Sequence, residues 1–494
     1  MTADNGAGVR DTANEDERAP LLAHSPDARR EATPLPRAQL AAVYLIKLTI
    51  PIVSFSVIPY INKMVSELDD LPRGHPVGYY SGLVGLAHAA GQFLTVFPWG
   101  RVSDWFGRIP IIATGMFGLA ASTAFFGLSK TLSQAIFFRF LTGVFSGYVG
   151  VIHSVVGELT DASNQSTAFP FYDIISALGF IVGPFLGGTF AEPATQFPGT
   201  FDTAFWRAYP YALPGFIAGA IAIAAALLSI FYLRETNPRV AHDKLTHEHP
   251  VIYQAITASA SVEEIAVEEE KPPTVKSLIA LPVIRAICAS QWSIGFIASA
   301  FNNGFALMAY TSTDFGGLSM DPRRIAVALS IMGLVSIFLK ASLPIFLKRF
   351  DTLSVYRFSV QAWPLTFALM PILNIIARVS GPERGAAASA LLWVSISLVL
   401  FASRLGTLAF SIIMILTKDH TPTSSALGTT NSISELAQMI GGSIGAPFIG
   451  ALFSFSTTTA GSIAGGYLWV VVICVLSLLG DISARRIGRY QHSS

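Results

Sequence analysis

Few side chains in this sequence could do chemistry, and most of those sit inside or beside long apolar runs. Gly100-Arg-Val-Ser-Asp-Trp-Phe-Gly-Arg108 is a short charged hinge between two such runs. Its glycines, Gly100 and Gly107, permit close backbone approach, while Asp104 can pair with a cation or cap a helix start. An ordinary polar turn would look much the same. Arg139 is followed by Gly143, Gly147 and Gly150, with Glu158 and Asp161 beyond them. A guanidinium in an apolar segment is costly unless paired or hydrated, so either a functional role or a structural ion pair is expected of it. Asp173 and Glu435 are the acids that could carry a proton, because burial raises a carboxylate pKa toward the physiological range. Asp173 reads equally as an interfacial cap or a partner for Arg139, and Glu435 as a packing or ion-pair residue.

A second group is neutral. Gln291, Asn302, Asn303, Asn431 and Gln438 interrupt apolar segments of the carboxy-terminal half, near Glu435. Amides bind varied polar groups without the desolvation cost of a full charge, so these either line a cavity or hydrogen-bond between helices. Lys340 and Arg404 can snorkel if they lie near an interface; deeper placement demands a paired or aqueous environment. No metal site is expected: Glu268-Glu269-Glu270 reads as solvated linker, and His247 and His249 fall on flexible chain. Cys288 and Cys474 read as small buried hydrophobes. The polar sequence offers no sizeable catalytic domain and no nucleophile-base cluster, so an enzyme is not expected, and no organic cofactor is implied. The formal charge of +1 comes with no basic stripe, which argues against nucleic acid.

The elements that must position these residues are membrane helices. The 494 residues are 52% hydrophobic and 13% charged, with a mean hydropathy of +0.54, a balance suited to lipid. Spans of about 20 residues fall near 39-62, 77-98, 109-129, 132-154, 167-189 and 210-233, then near 283-311, 324-346, 354-377, 385-415, 425-453 and 463-484. The stretch 237-276 holds seven acidic and four basic residues and is too poor in apolar residues for a core, so it reads as a linker. The expected domains are a cytosolic tail 1-38, a six-helix bundle 39-236, a linker 237-278, a second six-helix bundle 279-484 and a tail 485-494. Basic residues near the membrane ends, among them Arg37, Arg101, Arg108, Arg234, Lys348, Lys418 and Arg485, favour both termini in the cytosol. Glu17, Leu21 and Leu22 match the acidic dileucine type of sorting signal, which an adaptor would read; that address favours a vacuolar or endosomal membrane over the plasma membrane.

Gly100, Asp104, Gly107 and Arg108 resemble the loop 2-3 signature of the major facilitator superfamily. Arg139, with Gly143 after it, resembles the fourth-helix arginine that is linked there to proton coupling. Gly179-Phe-Ile-Val-Gly183-Pro184-Phe-Leu-Gly187-Gly188 resembles the antiporter signature of drug:proton exchangers. The sequence departs from these patterns at Trp105 and Ile109, where basic residues are usual, and at Pro170, where a further glycine is usual. Val57-Ile-Pro-Tyr-Ile-Asn62, Val156-Gly-Glu158, Tyr209-Pro-Tyr-Ala-Leu-Pro214 and Leu233-Arg-Glu235-Thr236 are similar to fungal and plant carriers of the zinc-induced-facilitator type. Relatives often carry an acid where this sequence has Ile50, after Lys47. The resemblance implies an all-α membrane protein with the major facilitator fold, twelve transmembrane helices in two six-helix bundles. It implies a monomeric secondary transporter, surrounded by membrane lipids, that exports or sequesters a small organic solute by alternating access with protons as coupling ion. The missing acid at Ile50 leaves room for a facilitative or proton-coupled nutrient importer, and a non-transporting nutrient receptor is the further alternative. Zinc transport is not implied.

Overall fold

A computed structural model describes residues 35-71, 76-160, 165-237, 275-379, 386-422, 427-458 and 466-491. The expected sorting residues Glu17, Leu21 and Leu22 lie outside them, as does most of the expected linker. In the amino-terminal half the helices are α1 (Arg37–Ser56), α2 (Ile61–Ser66), α3 (Val77–Phe106), α4 (Arg108–Gly127), α5 (Leu132–Ser146), α6 (Val149–Glu158) and α7 (Gln165–Phe190). The short α8 (Pro193–Gln196), α9 (Pro198–Phe201) and α10 (Ala204–Ala208) lead into α11 (Ala212–Tyr232). The rest of the chain forms α12 (Val275–Ala280), α13 (Pro282–Tyr310), α14 (Pro322–Arg349), α15 (Thr352–Val379), α16 (Ala386–Asp419), α17 (Leu427–Thr458) and α18 (Leu468–Gln491). Among the described residues, ten helical stretches are long and apolar enough to cross a membrane, the α5–α6 pair counting as one. Helix α3 runs 30 residues but is interrupted by more small and polar side chains, and α7, 26 residues long, is apolar over Ile174–Phe190.

The helix ends follow from local chemistry. Thr131 begins α5 by accepting a hydrogen bond from Gln134 N at 3.3 Å, and Asp321 begins α14 by accepting from Arg324 N at 2.8 Å, with Pro322 in the first turn. The charged hinge is shorter than the sequence suggests. Helix α3 continues through Asp104 to Phe106, and the chain turns at Gly107 alone, whose φ of +98° is open to glycine. Helix α1 stops earlier than expected, at Ser56, and a turn at 57-60 separates it from α2. At the other end of the chain, α18 runs on to Gln491.

Glycine lets these helices approach closely. Gly179, Gly183 and Gly187 form one face of α7 laid on α1: a Cβ on Gly183 would come within 2.9 Å of the Ile52 carbonyl oxygen, and one on Gly187 would collide with that of Ser56. Gly188 points elsewhere, to Ala326 and Pro322 of α14. Large apolar side chains such as Phe231, 82% exposed, and Phe338, 72% exposed, cover the outside, as hydrocarbon rather than water requires. One buried apolar cluster lies within residues 40-233 and another within 296-473.

The two halves meet along a seam. Helix α7 packs on α14 and α3 on α17. Ser330 Oγ donates to the Ile181 carbonyl at 3.1 Å, and a Cβ on Gly82 would come within 2.9 Å of Pro447 Cα. Ser66 Oγ and Tyr310 OH lie 2.7 Å apart across the same seam. These contacts sit toward the membrane face opposite the start of α1.

Candidate functional site

Beneath the seam lies a cavity of about 610 Å³. On α3, α7 and α14, which form the seam, the cavity residues lie on the side of the seam residues nearer the start of α1. On α3 they are Ala89 and Gln92, beyond Gly82; on α7 Ser176, Ala177 and Phe180, before Ile181; on α14 Ser336 and Lys340, beyond Gly333. The cavity is a polar pocket between the two halves, beneath the contacts that join α7 to α14 and α3 to α17. A larger space of about 840 Å³ lies at the outer edge of the seam, by Lys63, Tyr310 and Asp321. The smaller cavity is the better candidate because buried polar groups converge on it.

Of the amides read from sequence, Gln291, Asn302, Asn303 and Gln438 line this cavity together with Glu435. Asn431 does not; it precedes Glu435 by four residues on α17, and its buried Oδ1 has no hydrogen-bond partner. Glu435 and Lys340 both engage neighbours, so neither is an isolated charge. Phe55 and Phe180 stack at 3.6 Å between ring centroids and with Ile58 give the cavity an apolar wall. No sequence motif marked that wall, since a phenylalanine facing a cavity and one facing lipid look alike in an apolar run.

Arg139 is buried in α5 but does not line the cavity. Its Nη2 donates to the Ser54 carbonyl at 3.2 Å, near the place where α1 ends, and its guanidinium lies 5.7 Å from the centre of the Phe126 ring. Among the described residues no carboxylate forms an ion pair with it. Gly143, one turn on, lies against the His88 backbone and brings α5 onto α3. Asp173 belongs to α7, but its side chain lies outside the described residues.

The charged hinge builds a second site at the amino-terminal face. Arg108 Nη1 donates to Asp104 Oδ1 at 2.7 Å and to Ser103 Oγ at 2.5 Å, while Nη2 donates to Glu158 Oε1 at 2.7 Å. Glu235 caps α4: its carboxylate accepts from Arg108 N at 2.8 Å and Ile109 N at 3.2 Å, doing what glycine at the N-cap cannot. Thr236 Oγ1 donates to Glu158 Oε2 at 2.6 Å, and the Asn237 amide donates to the Ser103 and Asp104 carbonyls at 3.1 and 3.0 Å. Every partner here comes from residues 103-237. Glu158 and Glu235 were visible in sequence only as parts of short stretches, with no sign that both converge on Arg108. Gly100 has open space where its side chain would be.

At the opposite face, Lys63 pairs with Glu192, and Tyr211 OH donates to Glu67 Oε2 at 2.5 Å. Burial first, and then the Glu67 carboxylate, push the Tyr211 hydroxyl well above the usual tyrosine range. Among the described residues no group of three or more His, Cys, Asp or Glu could hold a metal ion.

Residues 52–446 match the family model described as Major Facilitator Superfamily. The chain is 32% identical over 490 residues to the "Major facilitator-type transporter psiT2" of Psilocybe cyanescens, covering 94% of this chain and 92% of that protein. It is 28% identical to "Protein ZINC INDUCED FACILITATOR 1" of Arabidopsis thaliana, covering 90% of each. Among solved structures, a bacterial homologue of the human lysosomal transporter Spinster, inward-facing and occupied, superposes with a TM-score of 0.61 at 14% identity, covering 91% of this chain and 96% of that one.

Proposed function

The chain belongs to the Major Facilitator Superfamily, and from that premise we propose that it exports or sequesters a small organic solute in exchange for protons. It is a secondary-active transporter working by alternating access, a carrier and not an enzyme. We further read it as twelve spans, with α3 and α7 completing the ten, in two six-helix bundles of residues 39-236 and 279-484. The reading places both termini in the cytosol, the carrier as a monomer in a vacuolar or endosomal membrane, and a sorting adaptor on Glu17, Leu21 and Leu22. An acidic lumen would then drive exchange.

The observation that carries the proposal is the polar cavity between the two halves, beneath the seam of α7 with α14 and α3 with α17. Rocking the halves about that cavity would open the seam between α7 and α14 and between α3 and α17, and close the other end. Glu435 in the cavity wall and Asp173 on α7 are the proposed proton carriers. Arg139 would act on the α1 break through the Ser54 carbonyl, coupling α5 to the helix on which Gly179, Gly183 and Gly187 pack, while Pro184 and Gly188 of the same segment would set how α7 meets α14.

The test begins with a metabolite comparison between vesicles with and without the protein, followed by flux of the solute found, with and without an imposed pH gradient. Saturable flux indifferent to the gradient would replace exchange by facilitation. Arg139→Lys, Asp173→Asn and Glu435→Gln then locate coupling; unchanged coupling in all three removes the proposed proton residues. The uncharged Ile50 and Trp105 leave room for a facilitative or proton-coupled nutrient importer as second reading, and uptake into the cytosol in the same assay would establish it.

A further inference from the structure

Arg404 is the cavity residue whose chemistry transport in general does not explain. It stands 18 residues after the start of α16 and 15 before its end. At about 1.5 Å per residue that is more than 20 Å from either end, in the middle third of the helix. It is 4% exposed and lines the central cavity. Its recorded bonds go to neutral groups: Nε donates to Ser403 Oγ at 3.2 Å and Nη2 to Asn302 Oδ1 at a long 3.4 Å. A guanidinium has five N–H donors in a planar fork that fits a carboxylate or phosphate edge, and among the described residues Arg404 commits two of them.

The surroundings add to this. Among the described cavity residues there are two cations, Lys340 and Arg404, and one carboxylate, Glu435, an excess of one positive charge. Glu435 and Lys340 are engaged by neighbours, whereas Arg404 has no acid among its recorded partners. A buried charge of this kind is kept at a large desolvation cost unless something neutralises it. Opposite the polar wall stand Phe55, Phe180 and Ile58.

We infer that Arg404 and Asn302 form an anion subsite and that the transported solute is an amphipathic organic anion, its carboxylate or phosphate on the guanidinium and its apolar body against Phe55 and Phe180. The inference deepens the proposed function and rests on its choice of cavity, not on proton exchange or direction. It makes Arg404 a specificity-determining residue: it selects for negative charge, while the aromatic wall selects for size.

Matched probes test it with the full chain in lipid nanodiscs and no gradient. The pairs are 2-naphthoate with 2-naphthamide and 1-naphthyl phosphate with 1-naphthol, titrated while the melting temperature is followed. The anion of at least one pair should bind about tenfold or more tighter than its neutral partner, the scale of a charge-assisted hydrogen bond. The better of the two anions identifies the group as carboxylate or phosphate. Arg404→Gln should abolish the preference, Arg404→Lys should keep part of it, and Asn302→Ala should weaken it should Arg404→Gln fail to fold. Equal binding of anion and neutral partner, no saturable binding of either anion, or a preference that survives Arg404→Gln but disappears in Lys340→Gln, overturns the subsite. Because binding is read at equilibrium, a later failure of pH-driven flux would overturn the exchange reading and leave this result standing.

Discussion

Removing Glu158 should destabilise the protein far more than removing Asp104, although Asp104 belongs to the motif and Glu158 does not. Both carboxylates accept from Arg108 at 2.7 Å. Their surroundings separate them: the Asp104 side chain is 54% exposed, Glu158 is 21% exposed and the shared Arg108 side chain 9%. An ion pair with an exposed carboxylate is worth about 0.2–1 kcal/mol and is screened by salt. A largely buried, charge-assisted contact is worth about 1.5–3 kcal/mol, and Glu158 also takes Arg108 Nε at 3.2 Å, approaching a forked geometry. Glutamine keeps one acceptor, and Arg108 keeps Asp104 and Ser103, so Glu158→Gln should fall near the low end, about 1–2 kcal/mol. Asp104→Asn should cost about 0.5 kcal/mol or less. Reversible unfolding in lipid nanodiscs measures both, and the cycle of Arg108→Gln with Glu158→Gln isolates the pair. Equal destabilisation by the two single changes, or a coupling energy under about 0.5 kcal/mol, would refute the claim that burial rather than motif membership sets the strength of this network.

The same variants bear on gating: Asp104→Asn should lower flux while leaving stability nearly unchanged, and normal flux would reduce the hinge to a topological marker. Gly187→Ala should cost about 1–3 kcal/mol, because the new methyl meets Ser56 backbone and α7 must lift from α1, whereas Gly100→Ala has open space and should be neutral or slightly stabilising; similar melting temperatures for the two would contradict the packing argument. The Tyr211 hydroxyl is raised above the ordinary value of 10.0, so the folded state holds its proton more tightly than the unfolded chain does. Its contribution is therefore fully present below pH 10 and is lost as pH rises further, a slope that Tyr211→Phe should flatten in alkaline unfolding curves.

What could be read in the sequence was whatever depends on chain-local physics. Apolar runs and the glycine spacing of α7 each act over a few residues, and the helices form where those signals lie. Information that depends on which helices become neighbours was weaker. Gln291, Asn302, Asn303 and Gln438 could be picked out as polar intrusions, but nothing local distinguished them from Asn431, which is off the cavity wall. Arg404 was ambiguous for the same reason: snorkelling and deep burial differ in which side chains surround the guanidinium, and those are set by the helices that pack around α16. Glu235 is the extreme case. It lies 127 residues from Arg108 and reaches it only because α11 packs along α4, delivering a carboxylate to the helix start that Gly107 leaves uncapped. The glycine that makes the turn possible therefore creates the need for an acid from elsewhere in the chain, and the hinge became readable as a site only once both were in view.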